Sequence, residues 1–388
     1  GVDMGVPKLR FKADDGSDFP DWEGMTLGDV GSVAMCKRVF KEQTREVGDV
    51  PFFKIGTFGG VPDAYISKSL FDELKSKYAY PEVGTILLSA SGTIGRQVEY
   101  QGEDAYYQDS NIVWLEHDDT VLDSYLKQFY SVVKWQGLEG STIKRLYNKT
   151  ILDTPFYRPS LPEQRKIADL LSAVDDVISA QEAEVAAWEK RKKGVMQKLF
   201  SQEVRFKADD GSDFPDWEEK TLGDICMYER QRSEGANFVG TENMLKDFGG
   251  VTFDNSNADG SGTLYHPGDT LMSNIRPYLK KAWLADRKGT CSTDVLVFHP
   301  TSVEPGYLYW LIASDAFVRY VMSAAKGSKM PRGDKKHIME MPLLLPNKDE
   351  QRKIDDCLSS LNDVIIKAKN ELAKWQELKK GLLQQMFV

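Results

Sequence analysis

Cysteine and histidine are both scarce in this chain, with four of each. Cys36, Cys226, Cys291 and Cys357 stand far apart and form no CxxC pair, which excludes a disulfide scaffold and makes a zinc site unexpected. His117, His266, His299 and His337 show no metal-ligand spacing. His337 sits beside a basic loop, where a phosphate contact or a purely local polar role are both open. No stretch of about 18 apolar residues occurs, so no helix is expected to span a membrane. The opening residues GVDMGVPKLR lack the apolar run of a secretion signal. A reduced, cytoplasmic protein is the expectation. Excess positive charge is lacking too. The formal net charge is -9, which argues against nonspecific coating of nucleic acid but leaves a specific reader open, since only the contacting face must be basic.

Catalytic signatures are equally thin. No two of the 16 prolines are adjacent, so the (N/D/S)-P-P-(Y/F) motif of an amino-methyltransferase acting on DNA cannot occur. No Walker A sequence is present, which removes a nucleotide-driven motor. A loose nuclease-like pattern can be traced through Asp63, Glu73 and Lys75, where the acids would hold a metal and the lysine would polarise a phosphate. It is short, and 59 acidic residues make chance matches common. The ADDGSD segments lack the ligand spacing of an EF-hand and read as acidic surface turns. No catalytic residue, metal or cofactor is therefore assigned to the chain.

What the sequence does contain is a duplication. RFKADDGSDFPDWE occupies Arg10–Glu23 and recurs unchanged at Arg205–Glu218, an offset of 195 residues, and TLGD follows at Thr26–Asp29 and Thr221–Asp224. A second repeat closes each copy: EQRKI at Glu163–Ile167 and Glu350–Ile354, an offset of 187 residues. That register runs on through Trp188 and Trp375, and back to Gly140-Ser141 and Arg145 against Gly327-Ser328 and Arg332. A period this long is not a solenoid repeat. Shared ends with divergent middles describe a common frame carrying two different surfaces, although a fused homodimer with no further meaning is also open.

After each EQRKI the apolar residues repeat at alternating three- and four-residue steps. They are Ile167, Leu171, Val174, Ile178, Val185, Trp188, Val195 and Leu199 in the first copy, and Ile354, Leu358, Leu361, Ile365, Ala368, Leu372, Trp375, Leu382 and Met386 in the second. Heptad stripes of this kind must be buried. Each predicts a helix of about 38 residues, or roughly 57 Å. The two helices are expected to pair as an antiparallel coiled coil, which lets a duplicated chain close with pseudo-twofold symmetry. Packing of each helix on its own module is the weaker alternative.

Both modules read as mixed α/β. Apolar runs at Thr85–Leu88, Asn111–Trp114, Thr270–Met272 and Val295–Phe298 predict strands, Tyr125–Val133 and Tyr307–Met322 predict helices, and Gly59-Gly60 and Gly249-Gly250 predict turns. Basic residues gather where the copies diverge. Lys326–Lys336 (KGSKMPRGDKK) and Arg276–Lys288 (RPYLKKAWLADRK) each carry five cations and one acid, and Gly140–Lys149 (GSTIKRLYNK) carries three cations and no acid. Ser89–Arg96 (SASGTIGR) supplies hydroxyls and one arginine. Loops of this mixture suit phosphates and base edges together, but any one of them also fits a solvated surface loop.

These segments together carry a resemblance. The leader VPKLRFK with DWE and TLGD, the stretches VGTILLSASGTIGR and SNIRPYLKKAW…CSTDVLVF, the GSKMPRGD loop and the LPEQRKIADLLSAVDD helix start resemble the specificity (S) subunit of type I restriction-modification enzymes over nearly the whole chain. The resemblance implies an α+β chain with two similar α/β target recognition domains joined by two long helices. On that pattern residues 1–161 form the first recognition domain, 162–203 the central helix, 204–348 the second recognition domain and 349–388 the C-terminal helix. It implies noncatalytic reading of a bipartite, asymmetric site on double-stranded DNA. It further implies docking of two methyltransferase (M) subunits, with restriction (R) subunits joining through the assembly. S-adenosylmethionine, ATP and magnesium would belong to those partners. Carried over residue by residue, the DNA-facing positions are Ser89, Ser91, Thr93, Arg96, Ser141, Lys144 and Arg145 in the first module. In the second they are Asn274, Arg276, Tyr278, Lys280, Ser328, Lys329, Arg332 and Lys335. A stand-alone nuclease and a two-headed protein-interaction scaffold remain as readings of other classes.

Overall fold

The computed structural model describes residues 7–135, 145–254 and 260–387. The chain divides into two compact units, one of Gly1–Ala183 with Lys369–Val388, the other of Glu184–Ala368.

In the first unit a four-stranded antiparallel sheet has the order Gly31–Ala34, Ile112–His117, Ile86–Ser89, Gln97–Glu99. The same order recurs in the second unit as Cys226–Tyr228, Val295–Pro300, Thr270–Ser273, Ala282–Leu284. Successive side chains of a strand point to opposite faces, and here both faces are buried. Ile86, Leu88, Val113 and Leu115 join one core, while Leu87, Ile112 and Trp114 join another. In the second unit Met272, Leu296 and Phe298 divide in the same way from Leu271, Val295 and Val297. Burial on both faces explains why these strands read as unbroken apolar runs. The second face is covered by a three-stranded sheet, Tyr65–Ile66, Val50–Phe53 and Tyr106–Tyr107 in one unit, and Arg232–Gly235, Gly260–Tyr265 and Gly289–Cys291 in the other.

The long helices span Leu161–Phe200 and Lys348–Met386. Each unit holds an antiparallel pair built from part of both. In the first, Asp175 meets Lys379 and Glu182 meets Gln376, while Ile167 and Leu171 share a core with Leu383 and Met386. In the second, Lys192 Nζ donates to Asn362 Oδ1 at 3.0 Å and Leu199 shares a core with Ile354 and Leu358. Every stripe residue is buried or half-buried. The helices do more than pair, since Ile167 and Leu171 also pack with Leu88, Leu115 and Phe156 of the sheet side. One predicted helix is corrected. Tyr307–Met322 is two helices, Pro305–Ile312 and Asp315–Ser323, because the Ser314 side chain caps the second by accepting from Phe317 N at 3.1 Å.

The repeated segments lock onto one another. Arg10 donates to Glu163 through Nε (3.0 Å) and Nη2 (2.8 Å), and Trp22 Nε1 donates to the same carboxylate at 3.0 Å. Arg205, Glu350 and Trp217 repeat this at 3.1, 2.8 and 2.9 Å. Both glutamates are fully buried, a placement a carboxylate tolerates only when paired and hydrogen-bonded. The neighbouring Gln164 and Gln351 are buried as well and bond backbone: Gln164 Oε1 accepts from Leu122 N and Gln351 Oε1 from Glu304 N, both at 2.9 Å. TLGD folds back on itself, with Thr26 N and Oγ1 donating to Asp29 at 2.8 Å, and Thr221 donating likewise to Asp224 at 2.7 and 2.8 Å. These bonds hold both aspartate pKa values below the ordinary range. Each ADDGSD is an exposed turn in which Ser17 or Ser212 bonds the aspartate two residues earlier.

Candidate nucleic-acid interface

At one end of each four-stranded sheet, three segments meet: the loop leaving the Ile86–Ser89 or Thr270–Ser273 strand, the one entering the Ile112–His117 or Val295–Pro300 strand, and the one that leads into the short helix Asn148–Leu152 or Lys335–Met339. In the first unit the meeting point is Asn111. Its Oδ1 accepts from Ser91 Oγ at 2.9 Å and from Arg145 Nη1 at 3.4 Å. Arg145 Nη2 also donates to the Ser110 carbonyl, and Leu146 N donates to Ala90 O at 2.8 Å. Ser91 and Arg145, far apart in sequence, are thus brought together on one side chain. Ser141 and Lys144 lie outside the described residues.

Two predicted contact residues take a different place. Ser89 is 1% exposed, and its hydroxyl donates to Thr93 O while accepting from Arg96 N. Asn274 is 7% exposed, and its Nδ2 donates to Gly333 O at 3.3 Å. Both sit buried within their loops: the Ser89 hydroxyl is bonded on both sides, whereas Asn274 is bonded through Nδ2 and its Oδ1 has no partner among the described residues. Thr93 and Arg96 are exposed, although Arg96 Nη1 donates to Phe58 O at 2.9 Å.

In the second unit the corresponding loop replaces glycines with basic residues in left-handed backbone, Arg276 (φ 51°) and Lys280 (φ 55°), flanking the Pro277–Leu279 turn. Non-glycine residues pay of order 1 kcal/mol or more for this conformation. The surrounding structure enforces it, with Arg276 N donating to Pro331 O at 2.8 Å. Arg276 and Tyr278 are exposed. Among the described residues the Arg276 guanidinium has no hydrogen bond or ion pair. The five cations of Arg276–Lys288 do not form one patch. Lys280 pairs with Asp315 at 2.8 Å. Lys281 donates to Thr241 O at 2.7 Å, and burial pulls its pKa down. Arg287 pairs with Asp286 and lies over the Phe253 ring. The strand Ala282–Leu284 runs through the middle of this segment.

Ser328, Lys329 and Arg332 are exposed on the loop that leads into the short helix Lys335–Met339, and Lys335, the first residue of that helix, is exposed too. Arg332 is pinned by its backbone, exchanging bonds with Lys326 at 2.9 Å in both directions, and its guanidinium lies on Asp294. Asp294 and Asn111 precede equivalent strands and were not singled out from sequence. The signal was present, since Asp294 stands in the quoted CSTDVLVF stretch. Ser273, the counterpart of Ser89, was also missed; it is 2% exposed and donates to Ile275 O at 3.0 Å. His337 stacks on Tyr320 with ring centroids 4.2 Å apart, so it fills a local role.

The nuclease-like triplet does not assemble. Asp63 pairs with Lys54, Glu73 with Lys77, and Lys75 lies over the Phe71 and Tyr80 rings. Among the described residues no group of three or more histidine, cysteine or acidic side chains is arranged to hold a metal ion, and no helix is long and apolar enough to cross a membrane.

Residues 20–187 and 215–375 match the family model of the type I restriction modification DNA specificity domain. A Haemophilus influenzae protein named as a type I restriction enzyme specificity subunit is 54% identical over 155 residues, which is 40% of each chain. The match thus spans two fifths of that relative. The type I restriction enzyme MjaVIII specificity subunit of Methanocaldococcus jannaschii is 22% identical over 97% of this chain and 95% of its own. Among solved structures, the type I restriction-modification S subunit from M. genitalium aligns over 99% of both chains with a TM-score of 0.62 and 16% identity. A chain from a structure of type I R-M complex assembly and conformational transition gives 0.51 at 15% identity over 95% of this chain and 98% of its own. At such identities these two likenesses concern the fold.

Proposed function

Because the chain belongs to the type I restriction-modification DNA specificity family, we propose that it is the noncatalytic subunit that selects the DNA sequence for such a system, each unit reading one half of a split, asymmetric site in double-stranded DNA. One observation carries this reading. The two units share sheet order, helix pairing and the Arg–Trp–Glu lock, yet differ at the loop that leaves the sheet, where Ser91, Thr93 and Arg96 stand in one and Arg276, Tyr278 and Lys280 in the other. A constant frame with variable loop chemistry suits two different half-sites, because base identity is read by the side chains that reach base edges while a fixed frame sets register.

The long helices are the docking elements for two methyltransferase subunits, and restriction subunits join through them. Adenine methylation with S-adenosylmethionine and ATP-driven cleavage with magnesium belong to those partners, and this chain supplies neither cofactor site nor catalytic group. The test is methylome sequencing of a host carrying this gene with its methyltransferase partner. One methylated motif in two parts, lost when the gene is deleted, is the expected result. A continuous motif, or methylation unaffected by the deletion, refutes the reading.

A further inference from the structure

Arg145 and Arg332 occupy the same place in the repeat, yet their guanidiniums are spent differently. A guanidinium has five N–H donors in a fixed fork. Arg145 uses its terminal pair inwards, Nη2 on Ser110 O and Nη1 on Asn111 Oδ1. Arg332 uses its side edge: Nε and Nη2 both donate to Asp294 Oδ1, at 3.3 and 3.2 Å. Its terminal edge, both N–H groups of Nη1 and the second of Nη2, has no partner among the described residues. The side chain is 52% exposed, and its backbone is fixed by bridges to both Lys326 and Ile275.

We propose that Asp294 is a specificity-determining positioning residue, which holds Arg332 with its terminal edge outwards to read a guanine, whereas Arg145 in the first unit is a loop clamp that reads no base. The chemistry selects the base. Two parallel N–H groups on the terminal edge match O6 and N7 of guanine in the major groove. A carboxylate on the side edge removes the freedom of a long flexible side chain, so less order is lost on contact. At the equivalent position Asn111 is neutral and takes up Ser91 as well as Arg145, which ties the loop together instead of aiming it.

This inference rests on the DNA-reading function proposed above. It is tested with the full chain and its methyltransferase partner on a pool of randomised duplexes, reading base frequencies at each position of the selected motif. The wild type is expected to select a split motif with a guanine in the half-site read by the second unit. Asp294→Ala lowers the preference for that guanine on the order of tenfold and leaves the other positions unchanged, since a good bidentate contact discriminates by that order. Arg332→Ala abolishes the preference. Arg145→Ala changes no single position. Asp294→Asn, which keeps an acceptor for the side edge, retains most of the preference. A split motif that survives Asp294→Ala unaltered, or one in which all positions weaken together, overturns the positioning role while leaving the function standing. A wild type that selects no motif overturns both.

Discussion

Removing Arg205 should expose how much the second unit depends on one buried carboxylate. Arg205 meets Glu350 through two N–H groups at 3.1 and 2.8 Å, and the Glu350 side chain is 1% exposed. In Arg205→Ala the carboxylate keeps, among the described residues, only Trp217 Nε1, at 2.9 Å. Stripping one partner from a buried ion pair costs about 3–5 kcal/mol, because the remaining charge stays out of water without compensation. For a unit of this size each kcal/mol lowers the midpoint by about 2–4 °C, so calorimetry of the full chain should show a transition moved down by roughly 6–20 °C. Arg205→Lys keeps a charge but loses the fork and should fall between the two. The decisive variant is Arg205→Ala with Glu350→Leu, which removes the stranded charge and should recover most of the loss, since apolar replacement of a buried pair is often near neutral. A shift below about 1 kcal/mol for Arg205→Ala, or a double variant no better than the single, would refute the argument that the lock is an electrostatic one.

Three further outcomes follow from the same structure. His117 Nε2 lies 3.3 Å from Asp123 Oδ1, and that bond raises the His117 pKa above its usual value. The protonated form is therefore stabilised in the folded state. The contribution is present below the ordinary histidine value and lost as pH rises through the raised one, so the stability gap between wild type and His117→Gln should be largest near about pH 5 and vanish near about pH 9. Burial pushes the Cys36, Cys226 and Cys291 thiols up to about 12, while Cys357 is half-buried. A thiol reagent at neutral pH should label Cys357 first and the other three only after unfolding; early labelling of any of those three contradicts this packing. Leu171→Ala, at a position with no exposure, should cost about 2–5 kcal/mol by denaturant titration. Leu378→Ala, at a position 47% exposed, should stay within about 0.5 kcal/mol.

Much of the frame was legible because it is written in periodicity and identity. The heptad stripes fixed both long helices, and apolar runs located the central strands, since a sheet buried on both faces leaves no polar alternation to obscure it. The purpose of the strict repeats was not legible. Nothing local in RFKADDGSDFPDWE says that its arginine and tryptophan close on a glutamate 153 and 141 residues away in the first copy; that is a fact of tertiary structure. The single helix predicted across Tyr307–Met322 failed for a local reason, as a serine that fits a helical pattern also makes a cap. The candidate surface was legible as a set of loops but not residue by residue. Composition counts cations without showing that Lys280 and Lys281 are engaged internally, or that Ser89 and Asn274 point inwards. The aspartate that meets Arg332 lies 38 residues away along the chain, beyond the reach of any pattern.

The division of the long helices between units has a consequence for synthesis. The second unit, Glu184–Ala368, is one unbroken stretch, whereas the first needs Lys369–Val388 in addition to Gly1–Ala183. Leu383 and Met386 close its core, Phe387 stacks on Tyr125, and Leu9 N donates to Gln385 O at 2.9 Å. On the ribosome, the half that emerges first is therefore the half completed last. Until its final turn of helix leaves the exit tunnel, it waits with one side of its core open, while the later half already has every residue it requires.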